Sequence, residues 1–156
     1  MWGGHPSIAP MVRAVCHDFG LEFEAHVVLY QSSFLEGQFP AENSFFQTVI
    51  TDSIKDGLIA SLTILMHAML ARPVEAAVFI GGMEGIFEEY EIYRREHGED
   101  ANVLALGVSG GAARKLAERA KNHDLDRIDF ARFAQERLRI NHNEPRQLAR
   151  PNTEHR

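Results

Sequence analysis

Short apolar runs that end in glycines and pass straight into segments of helical spacing constrain this chain more than any other feature. The run Ala76-Ala77-Val78-Phe79-Ile80 leads into Gly81-Gly82-Met83-Glu84-Gly85-Ile86-Phe87-Glu88-Glu89, where a helix starts. A buried strand turning through glycines into a helix is a ready anion site. Glycine lets the backbone approach a ligand, and a helix N-terminus presents N–H groups without helical acceptors. Glutamates one turn inside such a helix are placed for acid–base or ribose-binding work. The same grammar recurs at Gly3-Gly4 and at Gly110-Gly111.

Alternation of this kind organises the whole chain. Gly3 to Ser7 reads as a turn, with Pro6 and Ser7 suited to a helix start, and Ile8 to Phe19 as a helix ending at Gly20. Ala25 to Gln31 reads as a buried strand. Ser32 to Phe46 contains Gly37, Pro40 and Asn43 without a clear period and reads as a long loop of the kind that often forms a functional lid. Ile54, Leu58, Leu62, Leu65, Met66 and Met69 mark one face of a helix from about Asp52 to Ala71, stopped by Pro73. The strands Ala76–Ile80 and Val103–Val108 precede helices Gly85–His97 and Ala112–Asn122. Asp126 or Asp129 caps a last helix carrying Phe130, Phe133, Ala134 and Leu138 on one face. Strands apolar on both faces and alternating with helices predict an α/β fold, a Rossmann-like parallel sheet with helices on both sides. Ligands in such sheets bind at the carboxyl ends of the strands.

Length and composition fit that fold. The chain has 156 residues, 45% hydrophobic and 24% charged, values ordinary for one soluble domain with a real core. We expect that domain to span residues 1–141, followed by a polar, disordered tail over 142–156. No apolar run approaches the roughly 20 residues of a membrane span, and no basic region followed by an apolar core marks a signal peptide. Cys16 is the only cysteine, which excludes an internal disulfide framework and fits a reducing cytoplasm. The formal net charge of −6 argues against general nucleic-acid binding. The eight histidines are scattered without zinc-site spacing, and neither a metal nor another cofactor is expected.

The candidate ligand contacts are Gly3, Gly4, His5, Ser32, Gly81, Gly82, Met83, Glu84, Gly85, Ser109, Gly110, Gly111 and Arg114. Each has a plainer reading beside the functional one. A glycine pair also serves a tight turn with close helix–strand packing. His5 could donate to a phosphate or cap local backbone. Ser32 and Ser33 follow a strand end, where they could meet ribose or phosphate or simply shape a turn. Glu84, Glu88 and Glu91 share a helix face that solvates well, and burial there would raise at least one carboxyl pKa. Arg114 stands near a helix start, an unfavourable place for a cation without an anion, and is the better phosphate-clamp candidate beside Lys115. His67, on a mostly apolar helix, reads as a partly buried, hydrogen-bonded core residue.

Taken together, Gly3-Gly4-His5-Pro6-Ser7-Ile8 with Pro10, Tyr30-Gln31-Ser32, Phe79-Ile80-Gly81-Gly82-Met83-Glu84-Gly85 with Glu88-Glu89, and Ser109-Gly110-Gly111-Ala112-Ala113-Arg114 resemble the SLOG superfamily. This is the Rossmann-like group related to the Lonely Guy phosphoribohydrolases and lysine-decarboxylase-like proteins; the bacterial sensor-type branch is the nearest likeness. The resemblance covers about Gly3 to Arg114. It implies binding of a nucleotide or nucleotide derivative, and for sensor members a part in bacterial defence signalling with an effector protein as partner. The hydrolases carry Gly-Gly-x-Gly-Thr-x-x-Glu, whose glycines hold phosphate and whose glutamate assists N-glycosidic cleavage. Here Gly81-Gly82 match the first pair, and Gly85 followed by Glu88 reproduces Gly-x-x-Glu, which makes Glu88 the catalytic candidate. One extra residue separates Gly82 from Gly85, and Ile86 replaces the threonine. The arginine of the preceding helix has only Arg72 as a counterpart, next to Pro73.

Those departures favour binding over chemistry. The expected function is sensing of an ADP-ribose or NAD-related signal. The alternatives are a phosphoribohydrolase acting on nucleoside 5′-monophosphates and a truncated remnant without function. Only Met1 and Trp2 precede the first glycine pair, so the first strand is expected to be missing and the natural protein to begin upstream. Monomer and homo-oligomer both remain open.

Overall fold

The computed structural model describes residues 1–6, 8–19, 26–55, 57–120 and 125–139. The expected roles of Ser7, Gly20 and Asn122, and the tail from 142, fall outside them. The described residues form two compact units, one from Met1 to Met69 and one from Leu70 onward.

The first unit contains α1 (Ala9–Phe19), β1 (Val28–Ser32), β2 (Gln47–Thr51) and most of α2 (Leu58–Leu70). Strands β1 and β2 are parallel, with Val28 opposite Gln47 and Ser32 opposite Thr51. On the other edge of β1 a single residue, Trp2, forms a parallel bridge to Leu29. Its N–H donates to the Val28 carbonyl at 3.0 Å, and its own carbonyl accepts from Tyr30 at 2.9 Å. Where the sequence predicts a missing strand, one residue takes a strand position. Cys16, Leu29 and Phe46 form a small core with Trp2, Val12 and Val27 against it, and Trp2 meets Phe46 edge to face at 6.0 Å between ring centroids.

Two differences from the sequence reading concern this unit. The stretch Ser32–Phe46 is not structureless, since it winds into 3-10 helices at Ser33–Gln38 and Ala41–Phe45. Strand β2 follows it, at Gln47–Thr51, a segment the sequence reading leaves unassigned. Because β2 occupies the chain to Thr51, α2 starts at Leu58 and not near Asp52. The buried Ser61 hydroxyl accepts from the Ile54 N–H at 3.0 Å and pins the connection, and Gly57, a poor helix former, lies just ahead of α2.

The second unit contains β3 (Ala76–Ile80), α3 (Gly85–His97), β4 (Asn102–Leu106), α4 (Gly111–Arg119) and α5 (Phe130–Leu138). Strands β3 and β4 are parallel, with Ala76 opposite Asn102 and Ile80 opposite Leu106. Phe79, Ala105, Ala113, Leu116 and Ala117 form the core, and Ile86, Phe87 and Tyr90 of α3 pack on it. Helix α4 buries Ala112, Ala113, Leu116 and Ala117; three of these are alanines, which let it lie close to the sheet. Helix α3 ends at Gly98, whose φ of 89° only glycine adopts readily. Arg94, Arg95 and His97 in its last turn suit the negative end of the helix dipole. Strand β4 stops at Leu106, two residues earlier than its apolar run suggests, because Gly107–Ser109 turn into a 3-10 segment. Asp129 stands at the N-cap position of α5 without a side-chain cap bond; Arg127 holds its carboxylate instead.

Candidate functional site

In the second unit the two glycine turns are tied to each other. Gly81 and Gly82 adopt φ of 57° and 78°, and Gly110 and Gly111 adopt 73° and 57°. The Gly81 carbonyl accepts from the Ala113 N–H at 2.9 Å, and the Gly82 carbonyl from the Ala112 N–H at 3.0 Å. Two of the first amides of α4 are therefore satisfied by the neighbouring turn. A side chain at Gly111 would collide with the Gly82 carbonyl, so glycine is required there by backbone packing. Ser109 closes the arrangement: its hydroxyl accepts from the Gly81 N–H at 2.7 Å and donates to the Leu106 carbonyl at 2.5 Å.

The start of α3 is organised differently. Ile86 and Phe87 donate to the carbonyls of Met83 and Glu84 at 3.1 and 3.0 Å, closing the first turn on itself. The amides of Gly82, Met83 and Glu84 have no backbone acceptor among the described residues. Gly82, Met83, Glu84 and Gly85 are all exposed, and nothing lies within 4 Å of where a Gly85 side chain would begin. Such a turn can accept an anion on backbone N–H groups.

The charged candidates divide. Arg114 donates to Asp126 at 2.8 Å and lies 3.3 Å from Glu118, and its hydrogen bond to Asp126 leads the causes that raise its pKa. Its guanidinium already has two carboxylate partners. Glu88 is exposed, whereas Glu89 is half-buried on the helix face that carries Ile86 and Tyr93. Burial, and then the neighbouring Glu88 charge, push the Glu89 carboxyl above its ordinary range. The hydrolase motif places its glutamate four positions after its last glycine. Counted from Gly85 that position is Glu89; counted from the glycine pair it is Glu88. The count from Gly85 was available in the sequence and brings in Glu89, which the Glu88 assignment passes over. Arg72 is exposed beyond the end of α2.

In the first unit Gly3, Gly4 and Ser32 come together around a cleft of about 60 Å³, lined also by Gln31, Leu35 and Phe39. His5 is exposed beside it, and its carbonyl accepts from Ile8 and Ala9 at the start of α1. Ser32 is buried and its hydroxyl accepts from the Phe34 N–H at 3.3 Å. Gln31, absent from the candidate contacts, is only 5% exposed. Its position as the last residue of an apolar strand run was the signal for it.

Parallel strands joined by helices, with glycine turns at the strand ends, define a Rossmann-like α/β protein. The chain belongs to the SLOG cluster3 family, whose family model matches residues 1–138. No curated protein and no solved structure matches it. Among the described residues no helix is long and apolar enough to cross a membrane.

Proposed function

We propose that this protein binds a nucleotide-derived small molecule, an ADP-ribose or NAD-related signal, and reports it to an effector protein in a bacterial defence system. The observation that carries the reading is the open turn at the start of α3. Gly82, Met83 and Glu84 offer backbone amides there without backbone acceptors among the described residues, on an exposed surface at the positive end of a 13-residue helix. Gly81, Ser109, Gly110 and Gly111 support that turn from behind, and Arg114 adds positive charge only if it exchanges a carboxylate for phosphate. Binding through several amides tolerates the extra residue between Gly82 and Gly85. Proton transfer to a leaving base does not, since it requires hydrogen-bond distance to one defined carboxyl.

A hydrolase reading has one observation in its favour. Glu89 carries a raised carboxyl pKa, as a general acid does. One experiment separates the two. Purified protein is incubated with ADP-ribose, NAD and nucleoside monophosphates, and retained ligand and released base are measured. We expect retention without base release. Gly85→Asp places a negative charge at the turn in open space, at a helix start where aspartate is well tolerated, and should weaken retention about tenfold or more with unfolding unchanged. Base release by wild type that is lost in Glu89→Gln or Glu88→Gln would establish the hydrolase. Equal retention by a folded Gly85→Asp variant would refute the site.

A further inference from the structure

The second unit has a cavity toward the start of β4, beside the last turns of α3, α4 and α5 and away from the glycine turns. Its volume is about 360 Å³, within the roughly 300–1,000 Å³ of small-molecule sites. Small side chains leave the space. Four of its ten described lining residues are alanine, and Ala117 and Ala120 lie one turn apart at the end of α4, where larger residues would fill it. Val103 and Leu116 add apolar surface, and the half-buried Tyr90 adds an aromatic ring. Arg94 and Arg137 bring positive charge, and none of the described lining residues is acidic. Arg94 is fixed in place: its Nη1 donates to the Ala101 carbonyl at 3.2 Å and its Nη2 to Glu99 at 2.8 Å. Each of these nitrogens keeps a second N–H. The Glu99 side chain is 89% exposed, so its ion pair is weak and readily exchanged. The Arg137 guanidinium stands 5.7 Å from the centroid of the buried Phe133 ring.

We propose that this cavity binds a small aromatic carboxylic acid, its carboxylate held by Arg94 and Arg137 and its ring against Tyr90, Val103 and Leu116. The lining selects this class. A planar guanidinium fork matches a carboxylate, and apolar surface favours a body that gains by leaving water. A multiply charged phosphate suits the place poorly. Arg94 and Arg137 stand in the last turns of α3 and α5, and Ala120 closes α4, so three helices bring their negative ends and the arginines offset them. The proposal concerns a place apart from the turn before α3 and holds whether or not that turn binds a nucleotide.

The test uses the full chain with benzoate, and with benzamide and inorganic phosphate for comparison, read by NMR of the Ala101, Ala117 and Ala120 amides. Millimolar benzoate is expected to shift all three. Benzamide, which has the ring without the charge, should bind about tenfold more weakly, and phosphate should leave the amides unmoved. Arg94→Gln and Arg137→Gln should each weaken benzoate binding about tenfold; Arg137 is exposed, so its variant is expected to fold. Ala120→Leu should fill the cavity and abolish the response. Folding of each variant is checked by its amide spectrum. Amides unmoved by benzoate, equal binding of benzamide and benzoate, displacement of benzoate by equimolar phosphate, or wild-type affinity in a folded Arg94→Gln or Arg137→Gln variant would overturn the assignment.

Discussion

The glycine turns of the two units start from the same sequence pattern and end in opposite uses. At Gly111 the place of a side chain is filled by backbone, whereas Gly110 has open space there: the Gly81 and Gly82 carbonyls lie against the start of α4 and take its amides. At Gly3-Gly4 the missing side chain leaves room for Gln31 and borders a cleft. A glycine pair at a strand end thus signals close approach, and the neighbouring chain decides whether protein or ligand makes it. Tight packing accounts for glycine at Gly111, and ligand contact at Gly3-Gly4 and at the turn before α3 belongs to the proposed function.

The contrast predicts unequal penalties. Gly111→Ala should be the most damaging substitution, since the new methyl meets a backbone carbonyl that cannot turn away and φ is 57°. We expect a loss of roughly 3–4 kcal/mol in urea-induced unfolding; a loss below about 1 kcal/mol would mean that the two turns are not packed as described. Gly4→Ala meets side chains, Leu29 and Gln31, which can give way. Its cost should be smaller, about 1–3 kcal/mol in the same unfolding measurement. Ser109→Ala removes the hydroxyl that joins Gly81 to Leu106. The site is exposed, so water replaces the lost partners and the cost should be about 1 kcal/mol. A neutral result would show that the two carbonyl–amide bonds hold the turns without it.

The smallest effect concerns pH. Glu89 has a raised carboxyl pKa when folded, so the native state binds its proton more tightly than the unfolded chain. Its contribution favours folding at low pH and is lost as pH rises from the ordinary value of 4.5 through the raised folded value. Glu89→Gln should flatten that part of the stability profile and make the protein more stable at pH 7. Glu88→Gln should move the transition only partway back, because Glu88 is the lesser cause. Denaturant midpoints measured from pH 4 to pH 8 check the sign, and a profile unchanged by Glu89→Gln would show that the carboxyl is solvated.

What the sequence determined by itself was local. Helix α3 runs from Gly85 to His97 as its spacing predicts, because glycines, a basic last turn and Gly98 are signals carried within the segment. Strand β3 likewise matches its apolar run, Ala76–Ile80. Strand β2 was hidden, although Thr48, Val49, Ile50 and Thr51 are β-branched, because most of its residues stay exposed and a strand without a buried face shows no apolar run. Tertiary structure alone decided which glycines face protein, that Arg114 already holds two carboxylates, that burial falls on Glu89 and not on Glu88, and that the Gln31 Oε1 is enclosed without a hydrogen-bond partner among the described residues. Each of these depends on which atoms lie across from a residue. A chain's spacing encodes its own periodicity, but the neighbour that fills or leaves a space comes from another segment.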